Sequence, residues 1–290
     1  MTGLLLEPGT LWPAILCATE HGLASGALQP IETDQEVVEE AGVGFLVRKV
    51  SSLARKDEDK AKRKKKAVKS GIKVNPFLPH DEDLFVADIS ETHFGLLNKF
   101  NVIDHHLLIV TRHFEDQETL LTLADFRALA ACMGEFEGLG FYNGGVVAGA
   151  SQPHKHLQMV PLPMAESGPA VPIEPLLPAA AGDAIATVPG LPFRHAFCRA
   201  PASFEATHAL YRAMLHTVGV GGTERQSAPY NLLLTRRWML VVPRSREFLG
   251  TVSINGLGYA GSLFVRGEAD MGMVREVGPM EVLRHVSVEG

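Results

Sequence analysis

Cysteine is scarce in this 290-residue chain: Cys17, Cys132 and Cys198 are odd in number, far apart and free of C-x-x-C spacing. Neither a disulfide framework nor a thiolate zinc centre is suggested, and core packing rather than chemistry is the expected use of each. The N-terminus lacks a basic start and a long apolar run, because Leu4, Leu5 and Leu6 give way at once to Glu7 and Pro8. That stretch is too short for a signal-peptide core or a membrane span. Positive charge is not in excess either: the formal net charge is −6, which disfavours non-specific duplex binding by the surface as a whole. The expectation is a cytoplasmic protein of a reducing compartment with no membrane and no nucleic-acid partner.

What is present is a hydrophobic content of 46%, enough for one large domain or two packed halves. Thr10 is placed to cap a helix over residues 11–25, with Pro13 in its first turn. Residues 42–50 read as a strand leading into a linker, and 55–69 (RKDEDKAKRKKKAVK) is expected to be a solvated, mobile surface loop, with attraction to phosphate or nucleic acid as the alternative. Short apolar and β-branched runs at 84–89, 98–103 and 106–111 suit strands. Leu121, Leu123, Phe126, Leu129, Ala130, Met133 and Phe136 have the spacing of a helix within 120–139 that packs one face. Strands are expected at 141–147 and 154–162.

The Pro- and Ala-rich stretch 161–192 is the best internal boundary, separating an N-terminal half (1–165) from a C-terminal half (188–290). Beyond it come a strand at 193–199, a helix near 203–218, and strands at 230–235 and 238–244 joined by Arg236 and Arg237 in a tight hairpin without Asn-Gly chemistry. A strand at 258–266 and a short terminal helix complete the reading. A faint echo links the halves: a helix, Tyr142-Asn143 and a strand ending Val160-Pro161, against a helix, Tyr230-Asn231 and a strand ending Val242-Pro243. A duplicated α+β unit, or chance similarity of short strands, produces this order.

The chemistry concentrates in residues 144–158, GGVVAGASQPHKHLQ. Alternate residues of an extended chain share a face, so His154, His156 and Gln158 project together beside a small-residue loop. Gly144, Gly145, Gly149, Ala150 and Ser151 offer backbone N–H donors and a hydroxyl to phosphate oxygens at close approach. Twelve histidines give about half of one His-x-His pair by chance, so this context carries the reading. The loop lacks the Gly-Lys-Ser/Thr of a P-loop.

Two chemistries compete for the pair. Alternate histidines are two ligands of a zinc site, with a third from His105 or His106, although Gln is a poor zinc ligand. A nucleophilic imidazole uses all the parts: His156 attacks phosphorus if one ring nitrogen is held by an acceptor such as a backbone carbonyl and the other keeps its lone pair. Gln158 is no acid, but it donates a hydrogen bond. A phosphate leaving group needs no acid at neutral pH, so the residues favour phosphoanhydride substrates.

The segments NPFLP (75–79), LLNKFNV, DHHLLIVTR, FYNGG, GASQ and HKHLQ, with YNLLLTRRWMLVVPRS and SINGLGYAG, closely resemble ATP adenylyltransferase (diadenosine tetraphosphate phosphorylase). This family lies in the galactose-1-phosphate uridylyltransferase branch of the histidine-triad superfamily, where Gln replaces the last histidine. The resemblance implies an α+β, HIT-like fold with two related halves and an antiparallel sheet flanked by helices. It implies phosphorolysis of diadenosine tetraphosphate to ATP and ADP through an adenylyl-His156 intermediate. Gln158 would hold the adenylyl phosphate and His154 would support the same face.

Nucleotide contacts are implied at Lys56, Asn98, Lys99, Asn143, Gly149, Ala150, Ser151 and Gln152, and more loosely at Asn255, Gly256, Leu257, Ser262 and Arg266. The plain readings are turn conformation for Asn98, Asn143 and Asn255, a turn hydroxyl for Ser151, and surface charge for Lys99, Arg266 and Lys56, which adjoins the basic run. No resident metal or tightly bound cofactor is expected; magnesium accompanies the substrate phosphates. The implied partners are diadenosine tetraphosphate, ATP, ADP and inorganic phosphate, with the chain a monomer or homodimer. Adenylyl transfer from adenosine phosphosulfate, nucleotide-sugar transfer and a non-catalytic dinucleoside polyphosphate sensor remain alternatives.

Overall fold

The computed structural model describes residues 3–50, 75–178 and 184–290. The whole basic run 55–69, with Lys56, therefore lies outside the described residues. Helix α1 (Leu11–Ser25) forms where expected, but Thr10 does not cap it: its hydroxyl donates to Glu7 O at 2.6 Å. Gly26, left-handed at φ 76°, ends the helix by donating its N–H to Leu23 O.

Strand β1 (Thr33–Glu40) was not expected from TDQEVVEE, whose acidic residues have low strand propensity. It forms by pairing antiparallel with β2 (Val43–Val50) through a two-residue turn in which Ala41 and Gly42 both take positive φ. Its outer edge is kept charged, as suits an edge strand.

Strands β3 (Phe85–Asp88), β4 (His93–Leu97) and β5 (Leu107–Thr111) follow. The strand expected at 98–103 is absent. Asn98 Oδ1 accepts from Phe100 N at 3.3 Å, and this local bond competes with a ladder and turns the chain. Helix α2 (Leu123–Glu135) starts at a reciprocal cap between Thr122 and Asp125 and leads into β6 (Gly138–Gly144) and β7 (His156–Pro161).

The second half contributes β8 (Ala196–Arg199), α3 (Phe204–Thr217), β9 (Tyr230–Leu234) and β10 (Trp238–Pro243). The β9–β10 hairpin has the expected two-residue loop; Thr235 Oγ1 closes it by accepting from Arg237 N and Trp238 N. A small hairpin, β11 (Phe248–Leu249) with β12 (Val252–Ser253), precedes α4 (Gly256–Tyr259). The strand expected at 258–266 is thus shortened to β13 (Ser262–Val265), because the chain is helical to Tyr259 and breaks at Gly261, φ 93°. Two terminal helices, α5 (Glu268–Val277) and α6 (Pro279–Val286), stand where one was expected.

The main sheet has the order β3-β4-β5-β7-β6-β9-β10-β8 and is antiparallel throughout. It runs unbroken across both halves, joined where β6 pairs with β9 at Tyr142↔Leu232 and Asn143↔Asn231. One face packs α1, α2 and α3 through Ile15, Phe126, Leu129, Tyr211 and Met214 against Leu157, Met159 and Val241. The other buries Phe141, Val160, Leu233 and Val242 against β2, β13 and the helices α4–α6. The architecture is the α+β one expected, with a departure in the small sheet β1-β2-β13, where β13 is parallel to β2.

Candidate active site

Strand β7 crosses the middle of the first half, paired with β5 and β6. Alternation along it sends Leu157 and Met159 to the α1–α3 core and Val160 to the opposite core, so His156 and Gln158 share the Val160 face. His156 Nδ1 donates to His154 O at 2.8 Å, and Nε2 has no hydrogen-bond partner among the described residues. Burial lowers the imidazole pKa to about 4, reinforced by the neighbouring His154 ring and opposed by the carbonyl bond. His156 is therefore neutral at pH 7 with its Nε2 lone pair unprotonated, the state a nucleophile needs.

His154 does not share that freedom. Its Nε2–H donates to Thr111 O and Oγ1, both at 2.9 Å, and Nδ1 accepts from Asn75 Nδ2 at 2.8 Å. Burial lowers its pKa, partly offset by the Thr111 and His113 carbonyls. With both ring nitrogens taken, His154 has none left for a metal, and its ring is fixed beside the backbone carbonyl that holds His156 Nδ1. Phe77 presents its ring edge-to-face to both imidazoles, with centroids 5.7 and 5.3 Å away. Among the described residues no group of three His, Cys, Asp or Glu is arranged to hold a metal ion.

Gln158 accepts from His106 Nε2 at 3.0 Å through Oε1, and His106 Nδ1 accepts from Asn98 Nδ2 at 3.1 Å. Asn98 thus reaches the site through His106. His105 turns away at φ 57° to bond Thr19 and pack against Trp12. Lys99 is half-buried, its ammonium 5.6 Å from the Phe100 ring centroid.

The loop between β6 and β7 begins at Gly145, φ 90°, and turns again at Gly149, φ 91°. A Cβ on Gly149 would lie 2.7 Å from Asn255 Cβ and 2.9 Å from Ile254 O, so only glycine lets this loop meet the C-terminal half. Ala150 is buried, whereas Ser151 is exposed and Gln152 half-buried. Gln117 clamps the base of the loop: Oε1 accepts from His156 N at 2.9 Å, and Nε2 donates to Asn143 O at 2.9 Å and His156 O at 3.2 Å.

Asn143 is buried, and its Oδ1 accepts from Asn231 Nδ2 and from Gly256 N, each at 2.8 Å. Asn255 caps α4 through Leu257 N, and Leu257 itself lies in the core. Ser262 is buried against the Arg48 guanidinium, which also donates to Met164 O at 2.9 Å. Arg266 is exposed after β13, its backbone N–H donating to Asp270.

Hydrogen bonds and close approach thus gather His154, His156, Asn143, Gly149, Asn255 and Gly256 around Gln117, and a second hydrogen-bond chain from β7 joins Gln158 to Asn98 through His106. Leu257 and Ser262 are both buried, Ser262 against Arg48. Sequence reasoning missed Gln117, Asn75, Asn231 and the hydrogen bond of His106 to Gln158. The Tyr-Asn echo contained the signal for Asn231 and the NPFLP segment that for Asn75, whereas nothing local marks Gln117.

Behind the site, Lys155 is fully buried on the other face. It donates to Asp125 Oδ2 at 2.7 Å, Glu115 Oε2 at 3.0 Å and Leu120 O at 3.2 Å, while His93 Nε2 donates to Asp125 Oδ1 at 2.9 Å. Burial pushes the Asp125 carboxyl up, yet the His93 bond and the Lys155 charge outweigh it and hold the carboxyl well below its usual range.

Comparison with known proteins identifies the family. Residues 1–179 match the Ap4A phosphorylase N-terminal domain and residues 189–289 the ATP adenylyltransferase C-terminal domain. The chain is 29% identical over 227 residues to diadenosine 5',5'''-P1,P4-tetraphosphate phosphorylase 2 of Saccharomyces cerevisiae, spanning 66% of this chain and 69% of that protein. It is 28% identical over 214 residues to Protein APA1 of the same yeast, spanning 62% and 64%. The crystal structure of yeast Ap4A phosphorylase Apa2 shares the fold with a TM-score of 0.78 at 22% identity, over 98% of this chain and 99% of that one. The Apa2 structure in complex with Ap4A aligns at a TM-score of 0.77 and 23% identity, over 98% and 99% of the two chains. The chain belongs to the Ap4A phosphorylase N-terminal domain family, continued by an ATP adenylyltransferase C-terminal domain.

Proposed function

We propose that this protein splits diadenosine tetraphosphate with inorganic phosphate, giving ATP and ADP by reversible adenylyl transfer through His156. The observation that carries the reading is the buried, neutral His156 with Nδ1–H fixed on His154 O and Nε2 unpartnered among the described residues. Nε2 attacks the α-phosphorus, the N–P bond forms, and the P–O bond to the departing ATP breaks. The His154 carbonyl then faces the Nδ1–H of a cationic adenylyl-imidazolium and stabilises it. An oxygen of inorganic phosphate attacks the same phosphorus, the N–P bond breaks, and ADP leaves with His156 restored.

Gln158 donates its amide N–H to the phosphoryl oxygens but has no proton to give the leaving group. ATP leaves without one at neutral pH, so the amide suits transfer between phosphates. Gly149, Ala150, Ser151 and Gln152 receive the phosphates, and Asn98, Lys99, Asn143, Asn255, Gly256, Leu257, Ser262, Arg266 and Lys56 remain the nucleotide-contact proposals. Magnesium enters as part of the substrate, neutralising polyphosphate oxygens.

Incubation with diadenosine tetraphosphate and phosphate tests the reading: equal ATP and ADP are expected, and tight binding without products would make the protein a sensor. His156→Ala is expected to lower turnover by about 10⁴-fold or more and to abolish the acid-labile adenylyl-protein. Imidazole is expected to restore part of the activity of His156→Gly. Normal turnover by the Ala variant would remove His156 as the nucleophile.

A further inference from the structure

A carboxamide has two ends of nearly equal size and opposite hydrogen-bonding character, so Gln158 is useful to a phosphoryl group in one orientation only. Presented by its nitrogen, it donates to phosphoryl oxygens; presented by its oxygen, it repels them. Strand β7 itself does not choose between the two.

The choice is made by a hydrogen-bond chain that starts at the backbone. Phe100 N–H donates to Asn98 Oδ1 at 3.3 Å, so the other end of that carboxamide, Nδ2, faces His106. Nδ2 carries hydrogens and no lone pair for this purpose, and it stands 3.1 Å from His106 Nδ1, which must therefore accept. In a neutral imidazole whose Nδ1 accepts, Nε2 carries the proton. That proton points at Gln158 Oε1, 3.0 Å away. With Oε1 engaged, the Gln158 amide N–H groups are the end left for the site, and Gln158 Nε2 makes no hydrogen bond among the described residues.

Each link has one polarity. Turning Asn98 over would set its NH₂ against the Phe100 N–H, two donors face to face, so the backbone N–H fixes the polarity that His106 passes on. The ring of His106 is seated on Phe141, centroids 5.7 Å apart, and Phe141 is the cross-strand neighbour of Gln158. His106 and Gln158 are both buried, so their hydrogen bond is held by packing as well as by geometry, out of bulk water that would otherwise compete for Oε1.

We infer that His106 is a positioning residue for adenylyl transfer: relaying the polarity of the Phe100 backbone N–H through Asn98, it turns the Gln158 carboxamide nitrogen-first towards the phosphoryl group at His156. The catalytic consequence rests on the activity proposed above, while the hydrogen-bond chain does not. Two measurements keep them apart.

Long-range ¹H–¹⁵N correlation of the full-length protein, with His106→Gln identifying the signal, is expected to show His106 as the Nε2–H tautomer. The Nδ1–H tautomer would overturn the chain whatever the activity. In steady-state assays with diadenosine tetraphosphate and phosphate, His106→Leu is expected to lower kcat about 10- to 100-fold, with KM changed less than about threefold. That loss is smaller than the roughly 10²- to 10³-fold caused by removing such a donor outright. His106→Gln, whose amide nitrogen reaches about where Nε2 stands, is expected to recover most of it, and it carries the test if the Leu variant does not fold.

In a Gln158→Ala background the His106 substitution is expected to change kcat less than about twofold, because nothing is left to orient. An equal loss in both backgrounds, or no loss in the wild type, would overturn the positioning role. Absence of Ap4A cleavage by the wild type would count against the proposed activity and leave the tautomer to decide the chain.

Discussion

Asn231 Nδ2 donates to Asn143 Oδ1 at 2.8 Å, at the register position where the two halves of the main sheet meet. The same Nδ2 also donates to Ala148 O at 2.9 Å, in the loop that approaches His156, and Asn231 Oδ1 accepts from the buried Arg244 guanidinium at 2.7 Å. Because Asn143 Oδ1 takes Gly256 N as well, two asparagines tie the seam of the sheet to the loop between β6 and β7 and to the C-terminal half. Replacing Asn231 by Ala strips partners from two buried acceptors and from a buried cation. The expected loss is roughly 2–4 kcal/mol, read as a lowered urea midpoint, with a raised KM for the dinucleotide. An unchanged midpoint would show that the seam holds without the pair.

Gly149 combines a left-handed backbone with close approach to Asn255. Gly149→Ala is expected to cost about 1–3 kcal/mol and to raise KM about tenfold, because the loop must back away from the C-terminal half. Gly168, at φ 90° and with no atom within 4 Å of the place a Cβ would take, is the control for backbone strain alone. Equal effects of the two substitutions on KM would separate the loop from the site.

Lys155 supplies the buried positive charge that Asp125 answers behind β7. Lys155→Met leaves that carboxylate with His93 and Thr122 but without its cation, and an expected destabilisation of about 3–5 kcal/mol follows. Pairing it with Asp125→Asn is expected to return part of the loss. Thermal melting of the three variants measures the coupling, and strict additivity would deny it.

Acid stability follows from His156. Its pKa falls from 6.5 to about 4 on folding, so between those values the unfolded chain binds the extra proton and the folded one does not. Stability is therefore lost as pH falls from about 6.5 through about 4, by roughly 3 kcal/mol from this group. His154, His195 and His208 are lowered in the same direction by burial. His156→Asn, which can still donate to His154 O, is expected to show a flatter melting temperature between pH 7 and pH 4.5. A profile as steep as that of the wild type would place the titration elsewhere.

Much of this architecture is legible without coordinates, because the signals are periodic and local. The helical spacing of Phe126, Leu129 and Met133 locates α2, and alternation through His154, His156 and Gln158 puts three polar groups on one face. Elements went astray where a distant partner or a side-chain bond to the backbone overrides propensity: acidic β1 is made by pairing with β2, and the strand expected at 98–103 is turned by Asn98. The Pro-rich stretch separates the halves in sequence, yet it marks no break in a sheet whose hydrogen bonds run from β6 directly to β9.

The residues of the site divide along the same line. Sequence by itself singled out the groups proposed to carry the chemistry, since the two-residue period of an extended chain and the glycine-rich loop are read directly from it. Only the tertiary structure decided what each group can do: Asn75 and Thr111 occupy His154, the His154 carbonyl frees one nitrogen of His156, and His106 turns Gln158. Most of those partners lie tens of residues away, and hydrogen-bond direction depends on which atom arrives at the other end. That information exists only once the strands have set their register.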